Sequence, residues 1–112
     1  MKLFIDDIRR CPDGWIPART ITEAIRILDT QDVEEVSLDH DICCQSQTGE
    51  IHSSWETFEP VARFIFAKEE LRSNPAFKIR IHTANPAGGQ RMADIMGIQY
   101  DNKIFNEEDY RA

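Results

Sequence analysis

The sequence lacks any long hydrophobic stretch, and this absence limits the class of protein. No apolar run among its 112 residues approaches the about 20 residues that a membrane-spanning helix needs. The start of the chain also lacks the apolar segment of a signal peptide, because Asp6 and Asp7 interrupt it. We therefore expect a cytoplasmic protein without a membrane partner, folded as a single domain over residues 1–112.

Cysteine is also scarce, and its spacing argues against two kinds of cross-link. The sequence has three cysteines, Cys11, Cys43 and Cys44. Adjacent cysteines rarely bridge each other, so a disulfide framework is not expected. The spacing matches no zinc finger or zinc ribbon. We therefore expect reduced thiols without a structural zinc ion.

Positive charge is in deficit, which bears on the partners of the protein. The chain has 13 Lys and Arg residues against 20 Asp and Glu residues, for a formal net charge of −7. Such a surface repels the phosphate backbone of long DNA or RNA, so we expect no long nucleic acid as a partner. A small phosphate ligand is compatible with this charge where a metal ion, local cations or backbone amides receive it. The composition does not indicate an oligomeric state.

The sequence does contain an alternation of strand-like and helix-like segments. The patterns predict strands over 2–7, 16–19, 34–39, 77–83 and 98–105, and helices over 21–30, 57–73 and 90–96. Pro12 and Gly14 predict a turn rather than a helix after the first strand, and 42–55 reads as a long loop. Strands that alternate with helices predict an α/β fold with a parallel sheet of about five strands covered on both faces.

Some helix boundaries carry local signals. Thr20 with Glu23 three residues later matches a capping box at the start of the first helix. Gly97 is a typical helix stop after the last helix. Between the fourth strand and that helix, residues 84–89 contain proline and glycine and predict a turn.

Polar residues stand at the predicted carboxyl ends of three strands. Asp6-Asp7, Asp39-His40-Asp41 and His82-Thr83 each follow apolar strand residues. In parallel α/β sheets, ligands bind in the crevice beyond these ends. We therefore expect the three clusters to meet at one edge of the sheet. Each cluster alone has a plainer alternative, namely a solvent-exposed strand end, a helix cap or a hydrogen-bonded core histidine.

The carboxylates of these clusters suit a divalent cation. Asp39 and Asp41 lie two residues apart, so they point to the same side of the strand and His40 to the other. Together with Asp6 and Asp7 they offer the oxygen ligands that Mg²⁺ or Mn²⁺ takes. Crowded like charges need a metal ion or shared protons, so we expect Mg²⁺ or Mn²⁺ on these four aspartates.

Histidines in the same clusters are candidates for proton transfer. His40 and His82 have an ordinary pKa of about 6.5, which suits general acid or base work. Two histidines on neighbouring strand ends also suit phosphodiester cleavage without a metal ion. The plainer alternatives are a surface histidine at position 40 and a core histidine at position 82. With Asp39, these two histidines are the candidate catalytic residues.

A phosphate-binding role is predicted for residues that flank the strand ends. Glycines at a helix N-terminus let backbone amides approach an anion, which the helix dipole favours. Arginine also binds phosphate, and either Arg9 or Arg10 is placed to do so after the first acids. The candidates are Arg10, Thr83, Asn85, Gly88 and Gly89, although the segment NPAGG alone is usually only a turn.

Three blocks in chain order, LFIDDIRRCPDGW, SLDHDI and IHTANPAGGQRM, resemble the cyclic-phosphate-processing receiver-like family, as does ARTITEAIRIL between them. The resemblance implies a small receiver-like, flavodoxin-type three-layer sandwich whose first crossover helix is reduced to a loop. It also implies a polar set of Asp6, Asp7, Arg10, Asp39, His40, Asp41, His82, Thr83 and Asn85. Cys43 and Cys44 depart from the pattern, because relatives commonly continue into glycine there.

Residues and resemblance together favour a phosphodiesterase that acts on a cyclic phosphate, in a small cyclic nucleotide or at an RNA 2′,3′-cyclic end. A hypothesis of a different class is a non-catalytic protein that sequesters an intact cyclic nucleotide. The resemblance also admits a phospho-acceptor receiver, with Asp6, Asp7, Asp39, Thr83 and Lys103 in the positions that receivers use. The two histidines have no role in this third hypothesis, so it ranks lowest.

Overall fold

The structure is a computed structural model that describes residues 1–42 and 56–100. Its strands are β1 (Lys2–Ile5), β2 (Trp15–Ala18), β3 (Glu35–Leu38), β4 (Asp41–Ile42), β5 (Glu56–Thr57) and β6 (Lys78–Ile81). Its helices are α1 (Ile21–Thr30), α2 (Glu59–Ala67), α3 (Glu69–Arg72) and α4 (Pro86–Met96). No helix in this described part is long and apolar enough to cross a membrane.

Four of the strands form a parallel sheet in the order β2-β1-β3-β6. The central pair is in register, with Leu3 opposite Val36 and Ile5 opposite Leu38. The two remaining strands, β4 and β5, form a short antiparallel pair beyond the end of β3. The described chain is therefore an α/β domain with a flavodoxin-type parallel sheet.

Successive residues of a strand point to opposite faces of the sheet, and here the two faces differ in chemistry. Leu3, Ile5 and Leu38 belong to one apolar core, to which residues of α1, α2 and α4 also contribute. The residues between them, such as Phe4 and Ser37, are buried as well but lie outside that core. This second face continues into Asp6, Asp39 and His82, all buried. The sheet thus has an apolar face under the helices and a buried polar face opposite.

Several predictions from the sequence are confirmed. The four sheet strands and α1 lie where the patterns place them, and the chain between β1 and β2 contains no helix. Gly97 ends α4 with a left-handed φ of 69°, which glycine adopts without strain. The described helices all contribute to one core, so the third layer of the predicted sandwich is not seen within 1–42 and 56–100.

Two predicted segments extend beyond the described residues. Within the predicted strand 98–105, residues 98–100 form no strand and the others lie outside the description. The predicted loop 42–55 begins in β4 at Ile42, and its residues 43–55 lie outside too. The same holds for Cys43, Cys44 and Lys103. A fifth sheet strand stays a prediction.

The predicted helix 57–73 is wrong in its continuity. The structure breaks it at Lys68, whose ψ of 101° ends α2 before α3 begins. The amine of Lys68 donates to the carbonyl oxygens of Leu28 and Asp29, each at 3.3 Å. These carbonyls belong to the last turn of α1, where they have no partner inside the helix. The break thus places a cation on the C-terminus of the neighbouring helix.

The predicted turn over 84–89 is also wrong in part, because α4 begins earlier. Pro86 occupies the first turn of the helix, where its missing N–H costs no hydrogen bond. Asn85 caps the helix, since its side-chain oxygen accepts a hydrogen bond from the backbone of Gly88 at 3.1 Å. Gly88 and Gly89 therefore lie inside α4.

Replacing Thr20 with alanine is expected to lower the free energy of unfolding by about 1 kcal/mol. The Thr20 hydroxyl oxygen accepts a hydrogen bond from the Glu23 backbone at 3.1 Å, and alanine leaves that donor without this partner. Thr30→Ala is the matched control, because the Thr30 hydroxyl only donates to an exposed carbonyl oxygen within the same helix. Urea unfolding measures both variants. Equal losses in the two variants would contradict the capping role.

Candidate functional site

A cavity of about 250 Å³ opens at the carboxyl ends of β1, β3 and β6. Its lining residues come from the loop after each of these strands: Asp7, Ile8, Arg9, Asp39, Asp41, Ile42, Thr83, Ala84 and Asn85. Parallel strands bring their carboxyl ends to one edge, which explains why residues distant in sequence meet here. The structure thus confirms that the three polar clusters share one edge of the sheet.

Asp6 is the anchor of this site and is completely buried. One carboxylate oxygen accepts hydrogen bonds from the backbone of Ile8 at 3.0 Å and of Arg9 at 2.9 Å. The other oxygen lies 2.9 Å from the Arg9 guanidinium and 2.9 Å from Nε2 of His82. Burial acts to raise the pKa of Asp6, but these donors outweigh it and hold the pKa below its ordinary value. Asp6 is therefore ionised, and its hydrogen bonds with the backbone of Ile8 and Arg9 hold the loop after β1 in place.

A group of three aspartates forms the negative end of the cavity. The side-chain oxygens of Asp6, Asp7 and Asp39 lie within 4.8 Å of one another. Arg9 stands between two of them, with Nη1 at 2.9 Å from Asp6 and 3.3 Å from Asp39. The close approach of these three carboxylates concentrates negative charge at this end of the cavity. The donor set fits a hard divalent cation, which prefers carboxylate oxygens.

The crowding of negative charge affects the pKa of Asp39. Burial first, and then the charges of Asp6 and Asp7, raise the pKa of Asp39 from 3.8 to about 7, against the opposing effect of Arg9. Asp39 therefore binds a proton near neutral pH unless a cation takes its place.

The fourth predicted metal ligand lies apart from this group. Among the described residues, Asp41 is not one of the aspartates whose oxygens cluster. Its carboxylate lies 2.7 Å from Nδ1 of His40 and 3.4 Å from the side-chain nitrogen of Asn85. Asp41 and Asp39 both line the cavity, as their spacing predicts, but they face different partners.

Arg9, and not Arg10, is the arginine of the cavity. The Arg10 guanidinium lies 3.9 Å from the carboxylate of Asp13, and its side chain is 55% exposed. The structure therefore places Arg10 away from the cavity, and its role as a phosphate ligand stays a prediction. The two arginines are adjacent in sequence, and the hydrogen bonds of Arg9 to Asp6 hold the Arg9 side chain inward.

His82 does not line the cavity, although it lies at the predicted strand end. Its ring is buried, stacks on Phe4 with 4.5 Å between centroids, and lies 2.6 Å from the Ser37 hydroxyl through Nδ1. Burial lowers the pKa of His82, although the contact with Asp6 opposes this effect. The structure therefore places His82 behind Asp6, and its predicted role in proton transfer to a ligand stays a prediction.

His40 is likewise buried behind the cavity lining, on the other side of its strand end. Its Nε2 lies 2.8 Å from a carboxylate oxygen of Glu59, while Nδ1 faces Asp41. The His40 hydrogen bond lowers the pKa of Glu59, with further help from Arg91 at 3.2 Å. His40 therefore connects a cavity residue to α2 and α4, and it does not pair with His82 across the site.

The glycines of α4 serve packing rather than anion binding. The Gly88 amide already donates to Asn85, and the Gly89 amide donates to the Asn85 carbonyl oxygen at 2.9 Å. Neither glycine lines the cavity. An added Cβ on Gly89 would lie 2.5 Å from the Tyr100 ring. Phosphate binding by these amides therefore stays a prediction without support from the cavity lining, whereas Thr83 and Asn85 do line the cavity.

Replacing Gly88 with alanine is expected to destabilise the protein by about 1–3 kcal/mol. The new Cβ would lie 2.5 Å from Cγ and 2.8 Å from Cε1 of His40, a ring held by carboxylates on both sides. Helix propensity alone favours alanine over glycine by about 1 kcal/mol, so the sign of the change separates the two effects. Gln90→Ala on the exposed side of α4 is the control, and thermal unfolding is the measurement. A stabilised Gly88→Ala variant would show that His40 moves aside.

Three participants had no role in the sequence-based prediction. Ser37 precedes Asp39 by two residues, so strand alternation alone places both on one face of the sheet. Glu59 and Arg91 lie on helices far along the chain, and no local pattern connects them to His40. Their contribution becomes visible only when α2 and α4 pack together.

Comparison with known proteins agrees with the geometry. A family model described as "Cyclic-phosphate processing Receiver domain" matches residues 1–97, which contain every residue that lines the cavity. Comparisons with curated proteins and with solved structures found no match. The match covers most of the 112 residues and all three polar clusters. The chain belongs to the family of cyclic-phosphate processing receiver domains.

Proposed function

We propose that the protein is a phosphodiesterase that opens a cyclic phosphate, in a small cyclic nucleotide or at an RNA 2′,3′-cyclic end. The observation that carries this proposal is a single cavity that holds one arginine together with hydroxyl, amide and carboxylate groups. Family membership adds an association with cyclic-phosphate processing.

The cavity offers donors for the phosphate oxygens. Arg9 presents a guanidinium, which binds phosphate through charge-assisted hydrogen bonds. The Thr83 oxygen accepts a hydrogen bond from the Asn85 backbone at 3.2 Å, so its own hydroxyl proton can be donated to a ligand. Both residues lie on the cavity wall, and together they suit a singly charged phosphodiester.

The same cavity has an apolar wall that suits the sugar or base of a nucleotide. Ile8, Ile42 and Ala84 line it beside the polar groups. Ile8 is 69% exposed, which is unusual for a large apolar side chain and places it at the mouth of the cavity. Inorganic phosphate would leave this wall unused.

The negative end of the cavity suits Mg²⁺ or Mn²⁺ held by Asp6, Asp7 and Asp39. When bound, such an ion supplies electrostatic stabilisation of charge on the phosphoryl oxygens. Asp6 already accepts four hydrogen bonds, so it has little capacity left for a further partner. The ion would also relieve the repulsion that raises the pKa of Asp39.

Hydrolysis adds one water molecule and breaks one P–O ester bond. The oxygen of water bonds to phosphorus, its proton passes to a carboxylate, and the leaving oxygen takes a proton. Asp41 lines the cavity and is held by His40, so we assign it as the proton acceptor. Without a cation, Asp39 is protonated near neutral pH and lines the cavity, so it can give its proton to the leaving oxygen. With a cation on Asp39, the leaving oxygen takes its proton from solvent water. This assignment moves the proton chemistry from the predicted histidines to the aspartates in front of them.

The test is incubation of the protein with a panel of cyclic mono-, di- and oligonucleotides and cyclic-phosphate-ended RNA, followed by mass spectrometry. We expect one substrate to gain the mass of one water. Asp41→Asn should lower turnover at least about a hundredfold, as loss of an acid–base group does. Asp13→Asn is the control, because the Asp13 side chain is fully exposed.

Other outcomes overturn the proposal in defined ways. Recovery of an intact, tightly held cyclic nucleotide after denaturation identifies a sequestering protein. Labelling by acetyl phosphate that disappears in Asp39→Asn identifies a phospho-acceptor receiver. Loss of turnover in EDTA supports the cation, whereas full turnover in EDTA removes the cation and leaves Asp39 as the proton donor.

A further inference from the structure

A line of three buried side chains runs behind the cavity. The Ser37 hydroxyl lies 2.6 Å from Nδ1 of His82, and Nε2 of His82 lies 2.9 Å from Asp6. Ser37 and His82 are each 1% exposed, and Asp6 is 0% exposed. Neither Ser37 nor His82 lines the cavity.

This arrangement contains a serine, a histidine and an aspartate, yet it is not a nucleophilic triad. A serine nucleophile must reach the substrate, and Ser37 is enclosed on the buried polar face of the sheet. The carboxylate end of the line, and not the hydroxyl end, lies towards the cavity. The line therefore acts on the cavity through Asp6.

The hydrogen-bonding groups of the line admit one consistent orientation. A carboxylate only accepts, so the proton on Nε2 of His82 points at Asp6. In the neutral ring Nδ1 is then the acceptor, and the Ser37 hydroxyl donates to it. Stacking on Phe4, with 7° between the ring planes, fixes the plane of the imidazole. The Asp6 carboxylate thus selects the tautomer, and the Ser37 hydroxyl holds the ring so that its Nε2 proton stays directed at that carboxylate.

The orientation of the Asp6 carboxylate affects the position of Arg9, which lines the cavity. The same oxygen of Asp6 that faces His82 also lies 2.9 Å from the Arg9 guanidinium, which then reaches Asp39. If His82 lacked a proton on Nε2, its lone pair would repel this oxygen, and the carboxylate would turn. Arg9 would then lose its fixed position at the cavity wall.

We propose that Ser37 and His82 are positioning residues that orient Asp6 and thereby hold Arg9 in place for a phosphate ligand. The effect on phosphate rests on the proposed function, whereas the orientation of the ring and of Arg9 does not. Neither residue touches the ligand, so both act through Asp6.

The test combines ¹⁵N NMR of the His82 ring and the Arg9 guanidinium with calorimetric binding of inorganic phosphate. In the native protein we expect one tautomer, protonated on Nε2. In Ser37→Ala we expect the Nδ1 signal to move, the Arg9 guanidinium signals to broaden, and the Kd for phosphate to rise about five- to tenfold. His82→Phe keeps a ring on Phe4 but removes both hydrogen bonds, so it should raise Kd at least as much.

Matched variants distinguish a loss of the positioning role from a general disturbance of the fold. Gln90→Ala alters an exposed side chain of α4, whose amide donates to the Asp94 carboxylate at 3.0 Å, and should change neither signal nor affinity. Ser37→Thr keeps the hydroxyl and should restore the native ring signals. Circular dichroism confirms that each variant is folded.

The outcomes are distinguishable from a failure of the proposed function. A native tautomer protonated on Nδ1, or ring and Arg9 signals unchanged in Ser37→Ala, overturns the positioning role. Changed signals with unchanged phosphate affinity overturn the effect on the ligand. If the native protein binds no phosphate and hydrolyses nothing while the signals change as expected, the proposed function fails and the positioning of Arg9 stands.

Discussion

The Asp6→Ala variant is expected to lose about 3–5 kcal/mol of unfolding free energy, the range for removing one partner of a buried ion pair. The carboxylate is completely buried and accepts four hydrogen bonds. Alanine would remove the acceptor at 2.9 Å from Nε2 of His82 and the closer of the two carboxylates that face the guanidinium of Arg9. Urea unfolding at neutral pH measures the loss.

Asp13→Ala is the matched control for this variant. Asp13 follows in the same loop, but its side chain is fully exposed, and its carboxylate lies 3.9 Å from Arg10. An exposed pair of this kind contributes little, so the control should change stability by less than about 0.5 kcal/mol. A loss below 1 kcal/mol in Asp6→Ala, about the value of one ordinary hydrogen bond, would contradict the anchoring role of Asp6.

The same carboxylate gives a pH dependence with a defined sign. The pKa of Asp6 is held below its ordinary value in the folded protein, so its stabilising contribution is present above the unfolded pKa of 3.8. The contribution is lost as the pH falls through the folded pKa. The native protein should therefore show a steeper loss of stability in acid than Asp6→Ala, measured by thermal unfolding below pH 4.

The second large effect has the opposite sign, because Asp39→Asn is expected to stabilise the protein at pH 8 in EDTA. The folded pKa of Asp39 is raised from 3.8 to about 7, so the folded protein holds a proton that the unfolded chain releases between these values. Stability should thus fall as the pH rises from 4 to 7. At 1.36 kcal/mol for each pKa unit, the penalty at pH 8 is at most about 4 kcal/mol.

Asparagine keeps the size of the side chain and removes the titrating group. We expect Asp39→Asn to gain part of that free energy at pH 8 and to differ least from the native protein at pH 4. Asp13→Asn should show no such pH-dependent gain, because its side chain is fully exposed. Saturating Mg²⁺ should diminish the gain by stabilising the native protein. A variant as stable as the native protein at both pH values would contradict the crowding of charge at Asp39.

Local sequence patterns predicted those parts of the fold that local forces determine. Short apolar runs placed the four sheet strands, and Thr20 with Glu23 placed the start of α1. The break at Lys68 was not predictable from periodicity, because it depends on the carbonyl groups of a different helix. The start of α4 was missed because the signal of Asn85 as a cap competed with that of a proline and glycine turn.

The site was predictable to the level of strand ends but not of individual contacts. Parallel topology alone requires that the residues after β1, β3 and β6 share an edge. It does not decide which side chains face the cavity and which support them from behind. Adjacent Arg9 and Arg10 take different directions through backbone hydrogen bonds to Asp6, and the histidines acquire partners from distant elements.

The division of the sheet into an apolar face and a polar face constrains how this protein can vary. In β3 the side chains of Val36 and Leu38 belong to the core. Ser37 of the same strand, and Asp39 directly after it, belong to the site. Because the side-chain period of a strand is two, inserting one residue in β3 would exchange the faces of everything after it. A single insertion would place carboxylates under the helices and leucine among the aspartates. Changes of length that preserve folding and ligand chemistry together are therefore confined to the connecting loops.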